Sequence, residues 1–125
     1  MDFDNNKNIY LQLADNISES VLQKRHNPGD RIPSVREFAA EVGVNPNTVM
    51  RTYSELQNQG IIENKRGIGY FVTESAPEII LKQKKELFFQ QELPHFHKKL
   101  KLLDIDFPTL KLHIESLNGK QNESK

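Results

Sequence analysis

Asn47, Arg51 and Ser54 stand four and three residues apart, a spacing that places them on one face if this stretch is a helix. Their chemistry suits the edge of a base pair. An arginine can donate a bidentate pair of hydrogen bonds to guanine, an asparagine can pair with adenine, and a hydroxyl can hold a phosphate. Thr48 and Met50 flank this outward set, while Val49, Tyr53 and Leu56 take the opposite, buried face. Two more basic groups fall where nucleic acid would meet them. Arg36 lies near the start of another predicted helix, whose N-terminus itself attracts phosphate. Lys65 and Arg66, with Gly67 and Gly69 beside them, form a basic tip that could enter a minor groove. A single surface arginine is by default only solvated, and two glycines are needed merely to turn a hairpin. The nucleic-acid reading therefore rests on the combination.

The elements that would position these residues can be read in order. Ile9, Leu13, Ile17 and Val21 recur every fourth residue, with Tyr10, Ala14 and Leu22 alongside, so a first amphipathic helix of about four turns is predicted. It ends before the turn sequence Pro28-Gly29-Asp30. Ser34 and Glu37 have the spacing of a capping box, and Gly43 stops the short helix that they open. Asn45 followed by Pro46 is an N-cap with proline at the first helical position. The third helix then runs to about Gln59 and stops at Gly60. Beyond it Ile61-Ile62-Glu63 and Tyr70-Phe71-Val72-Thr73 have the β-branched and aromatic character of two strands. Three helices and a hairpin in this order make a winged helix-turn-helix, which lays its third helix in the major groove.

Composition narrows the alternatives. At 125 residues the chain has room for a small domain and an appendage, not for a reader and a full catalytic domain. The absence of cysteine removes disulfides, thiolate metal sites and a cysteine nucleophile. No signal-peptide pattern opens the sequence and no apolar run approaches the ~18 residues of a membrane span, so a cytoplasmic protein without membrane contact is expected. No Ser, His and Asp grouping suggests catalysis, and no cofactor is expected. His95, His97 and His113 lack the i, i+4 spacing of a helical metal site, so no metal is expected either. Net charge is zero, and residues 1–75 hold eight basic against ten acidic groups. That balance argues against DNA, but Arg36, Arg51, Lys65 and Arg66 cluster on the elements that would face a groove. Affinity is accordingly expected to be modest per monomer and strongly salt dependent.

After Ser75-Ala76-Pro77 helical character returns. Phe89, Leu93, Phe96, Leu100 and Leu103 are spaced 4, 3, 4, 3, the seam of two helices packing side by side. Pro94 sits within that seam and should kink or split the helix. Asp106 can cap a last helix with the stripe Phe107, Leu110, Ile114 and Leu117.

The runs Ile9-Tyr10-Leu11-Gln12-Leu13-Ala14, Pro28-Gly29-Asp30-Arg31-Ile32-Pro33-Ser34-Val35-Arg36-Glu37, Gly43 to Val49, Tyr53, Leu56, Gly60-Ile61-Ile62 and Arg66 to Val72 resemble the DNA-binding domain of GntR-family regulators. The resemblance covers roughly residues 8–73 and is specific, because separated motifs occur in order at the family's spacing. It implies a homodimer that reads a short palindrome, usually as a repressor relieved by a small effector. It also implies that Arg36 contacts phosphate and base, that Asn45, Asn47 and Thr48 are contact positions opening the reading helix, and that Arg66 and Gly67 form the wing tip. Many members carry arginine at the place of Met50; here it stands one residue later, at Arg51. The short tail resembles the YtrA subfamily, whose small domain mainly dimerises the protein and whose genes often lie with ABC transporter genes.

The expectation is thus a mainly α fold with a small β-hairpin: a winged helix-turn-helix over 1–75, a helical dimerisation or effector tail over 76–117 and a disordered 118–125. The DNA-facing set is Arg36, Asn45, Asn47, Thr48, Arg51, Ser54, Lys65, Arg66 and Gly67. The dimerisation set is Phe89, Leu93, Phe96, Leu100, Leu103, Leu110 and Ile114. The expected partners are an operator duplex and a second copy of the chain. An effector is possible, although the tail looks too small for a deep pocket. The competing reading is a winged-helix module that binds protein through its apolar seam and does not read DNA sequence.

Overall fold

The computed structural model describes residues 8–123, with side chains to residue 119. In chain order it holds α1 (Ile9–Leu22), β1 (Arg31–Ile32), α2 (Val35–Val42), α3 (Pro46–Asn58), β2 (Ile62–Lys65), β3 (Gly69–Val72), α4 (Ala76–Leu87), α5 (Leu93–Leu102) and α6 (Phe107–Glu123). A π-helical turn, Phe88–Glu92, joins α4 to α5. Two compact units divide between residues 84 and 85.

In the first unit Leu13, Ile17 and Val21 of the α1 stripe are buried, while Ile9 is 44 % exposed. Ile17 and Val21 of α1, Ala39 of α2 and Val49, Tyr53 and Leu56 of α3 enter one core with Ile61, Ile62, Val72 and Ile80. Burying each large side chain contributes about 1.5–3 kcal/mol. The polar groups carried inside are satisfied. Tyr53, fully buried, donates its hydroxyl to the Pro33 carbonyl at 2.7 Å, and burial, reinforced by neighbouring Tyr70, pushes its phenol well above the ordinary range. Thr52, equally buried, donates to the carbonyls of both Thr48 and Tyr10, which ties α3 to α1.

Local signals set the boundaries. Ser34 and Glu37 form the reciprocal capping box. Gly43, at φ +73°, takes the left-handed conformation that ends α2. Asn45 Oδ1 accepts the Asn47 amide at 2.8 Å and opens α3 at Pro46. The hydrogen bonds from Ser34 hold the Glu37 carboxyl below its ordinary 4.5. A carboxylate depressed in the folded state adds stability that is complete above the unfolded value and drains away as pH falls below it. Glu37→Gln is therefore expected to flatten the decline in thermal midpoint below pH 4.5; an unchanged pH profile would remove this role.

The expected hairpin is one part of a three-stranded antiparallel sheet of order β1-β3-β2. Ile62 pairs with Val72 and Lys65 with Gly69, while the added strand pairs Arg31 with Phe71 and Ile32 with Tyr70. The turn before β1 is hooked to the sheet, since the Gly29 amide donates to the Val72 carbonyl and the Val72 amide to that of Asp30, both at 2.9 Å.

In the second unit Pro94 stands at the start of α5, directly after the π-helical turn. Its ring would collide with the carbonyl four residues back and it has no amide to donate. The backbone widens by one residue instead, and the Leu93 amide donates to the Phe88 carbonyl, five positions back. The Asp106 carboxylate accepts the Thr109 amide at 2.9 Å and opens α6. From this capped start α6 runs to Glu123. Residues 1–7 and 124–125 lie outside the described residues.

Between 85 and 119 no residue is buried within the chain. Phe89 is 60 % exposed, Leu103 58 % and Phe96 43 %. Among the described residues no helix is long and apolar enough to cross a membrane.

Candidate nucleic-acid interface

The register of α3 separates two faces. Val49, Thr52, Tyr53 and Leu56 are buried, whereas Asn47, Met50, Arg51 and Ser54 are exposed and Thr48 lies between. The core thus fixes which side chains face outward, and the outward set carries the donors and acceptors that base edges require. Asn45 adds a qualification, because its side-chain oxygen is spent on capping α3. Its NH₂ end is the part with chemistry to offer a phosphate.

Arg36 is exposed in the first turn of α2, beside a shallow depression formed with Ala39, Ala40, Gly43, Val44 and Pro46. Small side chains and a tight turn there let a duplex backbone approach both helices.

On the wing, Arg66, Gly67 and Ile68 form the turn and are exposed. Lys65, placed at the tip by sequence, is the last residue of β2. Its ammonium lies 4.6 Å from the centroid of the Phe71 ring and 3.9 Å from Glu63 Oε1, so Arg66 is the cation at the turn itself.

Two residues left unassigned by sequence touch this set. The Arg51 guanidinium carbon lies 4.1 Å from the centroid of the Tyr10 ring. Tyr10 and Arg51 line an open cleft of about 380 Å³ with Asn8, Ile9, Asn47 and Thr48. The Arg31 side chain reaches the tip end of β3, where a Cβ on Gly69, the partner of Lys65, would lie 2.7 Å from its Nε. Both stood inside motifs quoted from the sequence, yet nothing in either motif showed that a ring would meet a guanidinium or that an arginine would require a neighbouring glycine.

Gly69 has φ +139° and Gly67 +79°, with no atom within 4 Å of a Cβ built on Gly67. Gly69→Ala must therefore both strain the backbone and displace Arg31. It is expected to cost about 1–3 kcal/mol and more than Gly67→Ala, measured by denaturant midpoints. Equal midpoints for the two variants would contradict the contact.

None of His95, His97 or His113 belongs to a group of three or more His, Asp or Glu side chains that could hold a metal, among the described residues.

Comparison with known proteins gives this arrangement a lineage. Residues 9–72 match the sequence profile of the bacterial regulatory proteins of the gntR family. The chain is 44% identical over 103 residues to the HTH-type transcriptional regulator YhcF of Bacillus subtilis, covering 82% of this chain and 84% of that one. It is 36% identical over 110 residues to the HTH-type transcriptional repressor YtrA of the same organism, covering 88% and 78%. A solved structure of a GntR-family transcriptional regulator from Bacteroides thetaiotaomicron superposes with a TM-score of 0.75 at 40% identity, over 91% of this chain and 99% of that one. The similarity runs past the winged helix into the short helical tail, and the family and relatives are transcription regulators, not enzymes. The chain belongs to the GntR family of bacterial transcription regulators, as a YtrA-like member with a DNA-binding winged helix-turn-helix.

Proposed function

We propose that the protein is a cytoplasmic repressor that binds a palindromic operator as a homodimer. The observation that carries this reading is the division of α3 into a fully buried face and an exposed face bearing Asn47, Arg51 and Ser54. In it those three meet base edges in the major groove, Arg36, Asn45 and Thr48 hold phosphates, and Arg66, with Gly67 and Lys65, follows the minor groove. The similarity to a relative named as a repressor supports the direction of control.

Dimerisation is assigned to the tail, residues 76–117, through Phe89, Leu93, Phe96, Leu100, Leu103, Leu110 and Ile114. Apolar side chains at this density, with none buried from 85 to 119, need a covering surface. Leu93, Phe96, Leu100 and Leu110 also line an open apolar groove of about 440 Å³ between α5 and α6. The seam and the groove therefore coincide, and a second copy that buries one fills the other.

The reading is tested by gel retardation of the DNA upstream of the protein's own gene at low and moderate salt. A retarded band that survives excess random duplex at moderate salt is expected. Retardation lost equally to random duplex at both salts would replace operator binding with non-specific attraction, and no retardation at all would favour the protein-binding module.

A further inference from the structure

Base readout by arginine demands that a flexible side chain be held with its N–H edge outward. Two contacts and a cleft between α1 and α3 bear on this. The Tyr10 ring lies against the Arg51 guanidinium, with 4.1 Å from Cζ to the ring centroid. The Tyr10 carbonyl accepts the hydroxyl of fully buried Thr52, the residue after Arg51, at 2.9 Å. The cleft beside them is floored by Asn47 and Thr48, the other residues opening the reading helix. We propose that Tyr10 is a positioning residue for Arg51, which fixes the guanidinium plane before DNA arrives and so sets operator specificity from outside the reading helix.

The physical basis is a guanidinium held over an aromatic ring, with its Cζ 4.1 Å from the centroid. The ring attracts the cation through its face, while the N–H donors stay available for a bidentate pair. Holding the side chain in advance removes part of the ordering cost of binding, on the scale of one immobilised long side chain. The Thr52 bond ties the Tyr10 backbone to α3 one residue from Arg51, so the crossing of the two helices carries the ring to its partner. Phenylalanine offers the same face as tyrosine; leucine and methionine offer none.

This inference rests on Arg51 reading a base, and the experiment separates the two claims. The full chain is used to recover its preferred duplex from a random pool. Dissociation constants for that duplex and a scrambled one are then measured for the unaltered protein, Tyr10→Phe, Tyr10→Leu, Tyr10→Met, Arg51→Met and the Tyr10→Leu/Arg51→Met pair, with thermal midpoints as a check on folding. Tyr10→Leu and Tyr10→Met are expected to lower the preferred-to-scrambled ratio by about three- to tenfold, and Tyr10→Phe to keep it. The double variant is expected to discriminate no worse than Arg51→Met. A purely structural role for Tyr10 would weaken both duplexes alike and leave the ratio standing, which overturns the proposal, as would additive losses in the double variant. A ratio undisturbed by Arg51→Met would overturn the base-reading role of Arg51 itself and the proposal with it.

Discussion

Replacing Arg51 by alanine is expected to lower discrimination between operator and random duplex by at least about thirtyfold, since a dimer loses one bidentate base contact of about 1–3 kcal/mol in each of two half-sites. The fold should be unharmed. Arg51 is exposed in α3, its helical neighbours Thr52 and Tyr53 keep their buried hydrogen bonds, and alanine is the best helix former. Affinity for random duplex should fall much less, because it depends on the sum of phosphate contacts. Competition binding with operator and scrambled duplexes measures both quantities. Arg36→Ala makes the contrasting case: a phosphate contact that weakens both duplexes and reduces the salt dependence of binding. Undiminished discrimination in Arg51→Ala would refute the assignment of this residue to a base.

Phe96→Glu is expected to convert a dimer into a monomer. Phe96 is 43 % exposed within one chain and lines the apolar groove with Leu93, Leu100, Phe107 and Leu110, so a charge there would be buried unpaired in any interface that uses the groove. Light scattering should give twice the 14.5 kDa of one chain for the unaltered protein and the single mass for the variant. Operator affinity should fall by roughly a hundredfold or more, since the second half-site is no longer delivered at high effective concentration. The first unit should keep its stability, because Phe96 contributes nothing to its core. A variant that stays dimeric would move the interface elsewhere.

Local rules made most of the reader legible. The Ser34–Glu37 box, Gly43 and the Asn45–Pro46 cap each act within a few residues, and each stands where its chemistry demands. The inward and outward faces of α3 follow from one period and one buried anchor, so Arg51 could be placed outside without any tertiary knowledge. What stayed hidden was of two kinds. Two-residue β1 shows no alternation, and it exists because Phe71 and Tyr70, far along the chain, supply its hydrogen-bonding partners. The stacking of Tyr10 on Arg51 likewise depends on how α1 crosses α3. The other kind is backbone accommodation. Lys24 and Asp104 end α1 and α5 with positive φ where glycine would have been the readable signal. Pro94 is accommodated by a π turn, which the proline rules do not specify from sequence.

The most direct measurement is selection of bound sequences from a random duplex pool by the full-length protein, followed by footprinting of the winner. The expected product is a two-fold symmetric consensus whose half-sites lie about one helical turn apart, ~34 Å, with protection confined to that span. Recovery of sequences no more alike than the starting pool, or of a consensus without symmetry, would contradict a pair of α3 faces reading base edges together.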